Sequence, residues 1–195
     1  MQRQETIHYL EMVSRADLRP ARPAAVPYEL RRAEIPCPEL SRFFYATVGG
    51  DWLWVDRLAW NYEQWLEWVA RPGYEMWIAT AQGTPAGYFE LDATVSGEVE
   101  LVFFGLLPQF IGLRLGGSLL TEAVERAWRP GVKRVWLHTC SFDHPGAVKN
   151  YLSRGFRLVR SETSPKEMPA AAIGPWPGAA KTPVLAARAA GLVPH

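Results

Sequence analysis

The sequence predicts an α+β fold: a mostly antiparallel twisted sheet, helices on both faces, and one strand–helix–strand crossover that sets two strands parallel. Three observations predict it. Runs at 74–81, 86–94 and 98–106 are rich in apolar and β-branched residues and are separated only by turn formers, which makes a meander. An amphipathic stretch at 115–128 then leads into a further strand at 132–139, and a crossover through a helix returns the chain parallel. A length of 195 residues suits one domain with one sizeable core, and no internal repeat divides it.

The elements follow in order. Thr6 to Met12 alternates loosely and reads as a first strand. Leu18 to Pro38 is rich in Pro, Arg and Ala and reads as a connection with weak helical character. Pro38 to Thr47 places apolar and aromatic residues at helical spacing and stops at Gly49-Gly50. Asn61 caps a further helix through Ala70, which ends before Arg71-Pro72-Gly73. In the meander, Gln82-Gly83-Thr84-Pro85 and Val95-Ser96-Gly97 are the turns between Tyr74–Ala81, Ala86–Thr94 and Glu98–Leu106. The helix from Leu115 to Trp128 carries Leu115, Leu119, Ala123, Val124 and Ala127 on one face and ends at Arg129-Pro130-Gly131. Val132 to Thr139 is a strand, Pro145 to Arg154 a short helix that Pro145 can start, and Phe156 to Glu162 a last strand. The expected division is one domain over 1–162, with helices at about 37–71 and a core at about 74–162. Residues 163–195, crowded with Pro and Ala, are expected to form an arm or tail.

Composition excludes several functions. A formal net charge of +1 offers no footprint for nucleic acid or an anionic membrane. No apolar run approaches the roughly 20 residues of a membrane span, and Met1 to Glu5 lacks the apolar core of a signal peptide. Cys37 and Cys140 are too few for a disulfide framework or a zinc site, so reduced thiols in a cytoplasmic protein, with no metal, are expected.

The chemistry concentrates where the apolar run Glu100–Leu107 hands over to the long helix. Gly112, Gly116 and Gly117 stand at that junction, where missing Cβ atoms let a ligand approach the backbone. Unpaired N–H groups and the helix dipole there suit an anion such as a pyrophosphate. No Gly-Lys-Ser/Thr follows at P-loop spacing, and neither the glycine spacing nor the preceding meander is that of a dinucleotide fold.

The downstream segment His144-Pro145-Gly146-Ala147-Val148-Lys149-Asn150-Tyr151-Leu152-Ser153-Arg154-Gly155-Phe156 gives the turn a context. With it the chain resembles the GNAT superfamily of acyl-CoA-dependent N-acyltransferases over about residues 74–160. That family's turn reads Arg/Gln-x-x-Gly-x-Gly/Ala, and its later segment is close to Asn-x-x-Ala-x-x-x-Tyr-x-x-x-Gly-Phe. Ala147, Tyr151, Gly155 and Phe156 keep the spacing, with His144 in place of the Asn, and Glu100–Leu106 resembles the strand before the turn. Ile111 stands where the family prefers Arg or Gln, and Arg114 replaces a common glycine, while Gly116 keeps the final small residue.

The resemblance implies a splayed parallel pair, 98–106 beside 132–139, with acyl-CoA between them and its pantetheine paired to the first strand along Phe104, Gly105 and Leu106. Ile111, Gly112, Leu113, Arg114, Leu115, Gly116, Gly117 and Ser118 would cradle the pyrophosphate, and His144, Ala147 and Tyr151 would border the cofactor. A backbone N–H near Leu106 would polarise the thioester carbonyl. Glu100 occupies the position of the base used by the family's histone acetyltransferases, and Tyr151 matches its usual general acid. Glu98 and Glu90 compete with Glu100 for the role of base, and Cys140 is expected to be a buried small residue, transfer in this family being direct.

Six of the nine tryptophans fall between Asp51 and Trp77. The resemblance places the acceptor side of the site here, so Asp51, Trp52 and Trp54, with Glu90, are the candidate acceptor-binding residues: Trp52 and Trp54 as an aromatic wall, and Asp51 or Asp56 to hold the ammonium of a cationic amine. Trp60, Trp65, Trp68 and Trp77 are expected in the core. The function implied is acetyl transfer from acetyl-CoA to an amine, with a homodimer possible through the C-terminal arm. A non-catalytic acyl-CoA-binding module and a binding protein using the aromatic segment are the competing readings.

Overall fold

The computed structural model describes residues 1–170 and 174. Its elements are β1 (Gln2–Met12), β2 (Glu29–Arg32), α1 (Pro38–Gly49), α2 (Tyr62–Ala70), β3 (Tyr74–Ala81), β4 (Thr84–Asp92), β5 (Glu98–Leu106), α3 (Leu115–Ala127), β6 (Arg134–Cys140), α4 (Ala147–Ser153) and β7 (Arg157–Glu167). The strands form one sheet in the order β2-β3-β4-β5-β6-β1-β7. Every neighbouring pair is antiparallel except β5 and β6.

The two helices before the meander form for reasons visible locally. Pro38 opens α1, where no N–H is needed. Asn61 caps α2 in a reciprocal box: its side chain accepts from Gln64 N at 2.9 Å, and its own N–H donates to Gln64 Oε1 at 3.0 Å. Along α3, Leu119, Leu120, Ala123, Val124 and Ala127 are buried against Val99, Leu101, Val135 and Leu137, while Leu115 at its start is buried in the cluster that α1 joins. Each fully buried leucine there contributes about 1.5–3 kcal/mol. On the other face, α1 seats Phe44 and Val48 among Ala81, Ala86 and Tyr88. Helix and strand come so close that a Cβ on Gly105 would stand 2.3 Å from Val48 Cγ1.

Several elements depart from expectation. β2 forms inside the segment read as a connection with helical character, pairing with Trp77–Thr80 as an edge strand. Its sequence, Glu29-Leu30-Arg31-Arg32, has one apolar residue and no periodicity to read. β1 starts at Gln2 rather than Thr6 because β7 supplies partners to residues that no apolar pattern marks. β7 runs on to Glu167, five residues beyond the expected strand and into the segment expected to be an arm; residues 171–173 and 175–195 lie outside the described residues. Thr84 and Pro85 belong to β4 rather than to the turn. The short helix begins at Ala147, with Pro145 and Gly146 in a turn ahead of it.

Two features of the sheet make room for a site. β4 and β5 lose register between Glu90↔Phe103 and Leu91↔Leu101, leaving Val102 as the extra residue of a bulge. The parallel contact of β5 with β6 lasts three residue pairs, Glu98↔Arg134 to Glu100↔Trp136, and the strands then part. No helix among the described residues is long and apolar enough to cross a membrane.

Candidate active site

Past Glu100 the parting strands open a cavity of about 680 Å³ that reaches both faces of the sheet. Its walls are β5 from Leu101 to Leu106, the end of β6, the start of α4, the turn before α3, and the segment after α1. Leu107 N donates to Ala86 O on β4. Since strand residues alternate the direction of their polar groups, Leu106 and Phe104 turn theirs away from β4, to the open side.

At one end lies the glycine turn. Gly112 has φ +90° and Arg114 +57°, while Leu113 between them does not take a positive φ. That alternation aims successive N–H groups at one point, and the first N–H groups of α3 have no partner within the helix. Arg114, the N-cap of α3, sits in the left-handed region at a cost of about 1–2 kcal/mol for a side-chain-bearing residue. Ile111, Gly112, Arg114, Gly116 and Gly117 border the cavity. Leu113 and Leu115 are buried in the core and offer only backbone. Ser118 turns its hydroxyl to Tyr28 Oη at 3.0 Å and is not on the cavity wall.

Phe104, Gly105, His144, Ala147 and Tyr151 also line it. Tyr151 is buried with its ring edge against Phe104, centroids 6.2 Å apart. Burial, reinforced by the Asp143 charge, raises its hydroxyl pKa, so the group keeps its proton. Asp143 ties the loop after β6: it accepts from Trp54 Nε1 at 2.8 Å, Thr139 Oγ1 at 2.6 Å and Cys140 N at 3.0 Å. Burial, then the Asp143 charge, pushes the Cys140 thiol up to about 12, which leaves it protonated and a poor nucleophile at neutral pH.

Glu100 stands at the root of the splay and is not itself on the cavity wall; its Oε1 lies 3.1 Å from Nδ1 of His138, which is. Glu98 is engaged by Arg134 at 2.9 Å. Glu90 falls elsewhere than expected: it is buried between α1, α2 and the sheet, accepting from Ser41 Oγ and Trp68 Nε1, each at 3.0 Å, and it does not reach the cavity. The bulge at Val102 pairs it with Phe103, whose ring packs against Tyr45 and Trp54 over it. Trp52 and Trp54 line the cavity, Trp52 with its edge to the His144 ring at 5.0 Å, whereas Asp51 does not. Trp60, Trp65, Trp68 and Trp77 are absent from the wall.

Sequence reasoning missed much of the remaining wall: Glu5, Tyr45, Arg57, His138, Asn150, Lys166 and Met168. Lys166 on β7 joins Glu5 on β1, at 3.3 Å, to Asp56 in the loop after α1, at 3.0 Å. Asn150 donates to Gly116 O at 3.3 Å, fixing α4 to the turn. Asn150, inside the quoted Ala147–Phe156 block, had a local signal; Glu5, His138 and Lys166 are brought in by strand pairing, and Tyr45, Arg57 and Met168 by the packing of α1 and of loops around the splay. No group of three His, Cys, Asp or Glu among the described residues is placed to hold a metal ion.

Residues 32–156 match the profile of the acetyltransferase (GNAT) family. Solved structures share the fold. A GCN5-related N-acetyltransferase from Sphaerobacter thermophilus superposes with a TM-score of 0.59 at 19% identity, over 85% of this chain and 52% of its own. One from Kribbella flavida gives 0.55 at 19% identity, over 85% and 58%. A functionally unknown conserved protein from Staphylococcus epidermidis gives 0.55 at 13%, over 86% and 64%. The chain thus spans between half and two thirds of the length of these structures. Comparison with curated proteins finds no match.

Proposed function

Because this chain belongs to the acetyltransferase (GNAT) family, we propose that it is an N-acetyltransferase that moves the acetyl group of acetyl-CoA directly to an amine. The observation that carries the reading is the splay: β5 leaves β6 after Glu100, and its free edge, the glycine turn and Tyr151 meet in one cavity. In this reading the pyrophosphate lies against the N–H groups of Gly112 to Gly117, held by backbone, so Ile111 in place of a polar residue removes no essential ligand. The pantetheine continues the sheet along Phe104 to Leu106, and the Leu106 N–H polarises the thioester carbonyl.

The amine must lose a proton before it attacks. Glu100 serves as base through His138, which spans the gap between the carboxylate and the cavity. The attack forms the C–N bond and breaks the C–S bond, and Tyr151, kept protonated by its burial, donates to the departing thiolate. Base and acid thus work from opposite faces of the sheet through the opening between its strands. The domain in this proposal takes in β7, since Lys166 contributes to the wall.

Calorimetric titration with acetyl-CoA, paired with an amine panel read by CoA release, tests the proposal. Saturable binding with transfer to at least one amine is expected. No heat at several hundred micromolar acetyl-CoA would sink it, and binding without transfer to any amine would favour the non-catalytic module.

A further inference from the structure

The acceptor end of the cavity carries a charge pattern that the transfer chemistry does not use. Arg57 lies on its wall with the guanidinium stacked on aromatic rings: its Cζ is 3.5 Å from the Trp68 ring centroid, 4.7 Å from Trp60 and 4.6 Å from Phe103. Among the described residues it makes no ion pair within 4.0 Å, and its Nη1 is buried with no hydrogen-bond partner. Glu90, the carboxylate with the largest electrostatic influence on Arg57, is committed to Ser41 and Trp68. A cation taken out of water without a direct ion pair is costly, and the more distant Glu90 charge and stacking on rings recover only part of that cost.

The same wall holds the opposite imbalance. Glu5 and Asp56 share the single ammonium of Lys166, which leaves one net negative charge there. Glu5 is buried whereas the Asp56 side chain is 65% exposed, so the Glu5 carboxylate belongs to the cavity and Asp56 to its rim. The acceptor end therefore presents one guanidinium free of ion pairs and two carboxylates that share one ammonium, next to the indoles of Trp52 and Trp54.

We propose that the acceptor is a small amine that also bears a carboxylate, an amino acid in chemical class, with its carboxylate on Arg57 and its ammonium entering beside Glu5 and Asp56. One guanidinium matches one carboxylate in charge and planar geometry. A phosphate dianion would need a second cation, and Lys166 is already engaged. The inference rests on the acetyltransferase reading for the acceptor's fate, but the anion site stands on Arg57 alone.

The test compares glycine, leucine, phenylalanine and glutamine with their primary amides by CoA release. It also compares binding of the N-acetyl derivatives of both series, in the presence of CoA, by tryptophan fluorescence, since Arg57 lies on Trp60 and Trp68. The carboxylates should exceed the amides by about tenfold or more in kcat/KM and in affinity, the scale of a lost hydrogen bond to a charged group. Arg57→Met should bring that ratio to unity without moving acetyl-CoA affinity, and Arg57→Lys should restore part of it. Equal use and equal binding of acids and amides by the wild-type protein overturns the proposal, even if Arg57→Met fails to fold. Arg57-dependent binding of the acids without any transfer would uphold the anion site and remove the acetyltransferase reading instead.

Discussion

The proposed donor and acceptor ends of this cavity are built on different principles. The donor end is made of backbone: the free edge of β5, the N–H groups of the Gly112–Gly117 turn, and a helix start whose dipole favours an anion. It comes from segments close together in sequence, and Leu113 and Leu115 serve it while their side chains are buried in the core. The acceptor end is made of side chains from distant segments: Glu5 from β1, Tyr45 from α1, Arg57 from a loop, His138 from β6 and Lys166 from β7. A ligand held by backbone requires a particular local conformation and so leaves a pattern of glycines and spacing. A ligand held by side chains requires only that the fold bring them together, and leaves none.

Substitutions that act on one end alone can break this comparison. The largest effect is expected from Tyr151→Phe, which removes the donated proton but little volume. Its kcat should fall roughly a hundredfold, the low end for general acid catalysis, with acetyl-CoA affinity by calorimetry nearly unchanged. An undiminished kcat would take Tyr151 out of the mechanism. Next comes Gly116→Asp. A Cβ there meets nothing nearer than Leu106 Cδ1 at 3.7 Å, so the fold should hold, while the carboxylate opposes the pyrophosphate. Acetyl-CoA affinity should drop about thirtyfold or more by like-charge repulsion, with circular dichroism unaltered. Unchanged affinity would place the cofactor elsewhere.

The smallest effect concerns acid stability and sharpens the contrast from the acceptor side. Asp92 would be raised by burial, but hydrogen bonds from Thr94 and Arg71 outweigh that and hold its pKa below the usual carboxylate range. Glu75 is held low in the same way, by Trp77 and Arg129, and Glu11 by Arg134 and Arg157. A carboxylate depressed in the folded state contributes stability that is complete above its unfolded pKa, about 4, and is lost as pH falls through the depressed value. These three groups should therefore make Tm decline as pH falls below about 4. Asp92→Asn unpins α2 from β4; it should lower Tm by a few degrees at pH 7, flatten the acid decline, and leave acetyl-CoA affinity alone. An acid decline as steep in the variant as in the wild type would assign it to other groups.

The same division explains what could be read from the chain. Tyr74–Ala81 and Glu98–Leu106 match their expected bounds because alternation and turns mark them, and α2 matches because Asn61 and Gln64 cap it. β2 and the far half of β7 escaped because their residues, largely charged and exposed, become strand only by pairing with β3 and β1. Among candidate site residues, the turn glycines, Tyr151, Trp52 and Trp54 reach the cavity. Glu90 does not, because it shares with Tyr88 the face of β4 that α1 and α2 cover, where Ser41 and Trp68 bind it, and no spacing in the sequence announces which face those helices take. His138 and Arg57 carried no motif, and only the crossing of strands and loops around the splay gives them a role.

The position of β1 bears on how the molecule assembles. It lies between β6 and β7, and the register on β7 joins Gln2 to Glu167. Loops of that length close late, and contacts across them cannot stabilise anything until nearly the whole chain is available. The meander and its helices can consolidate from nearby contacts, whereas Glu5, Lys166 and Met168 reach their places only when β1 and β7 meet. Under the proposed function, the residues that would set selectivity are therefore expected to fall into place after those that would hold the donor.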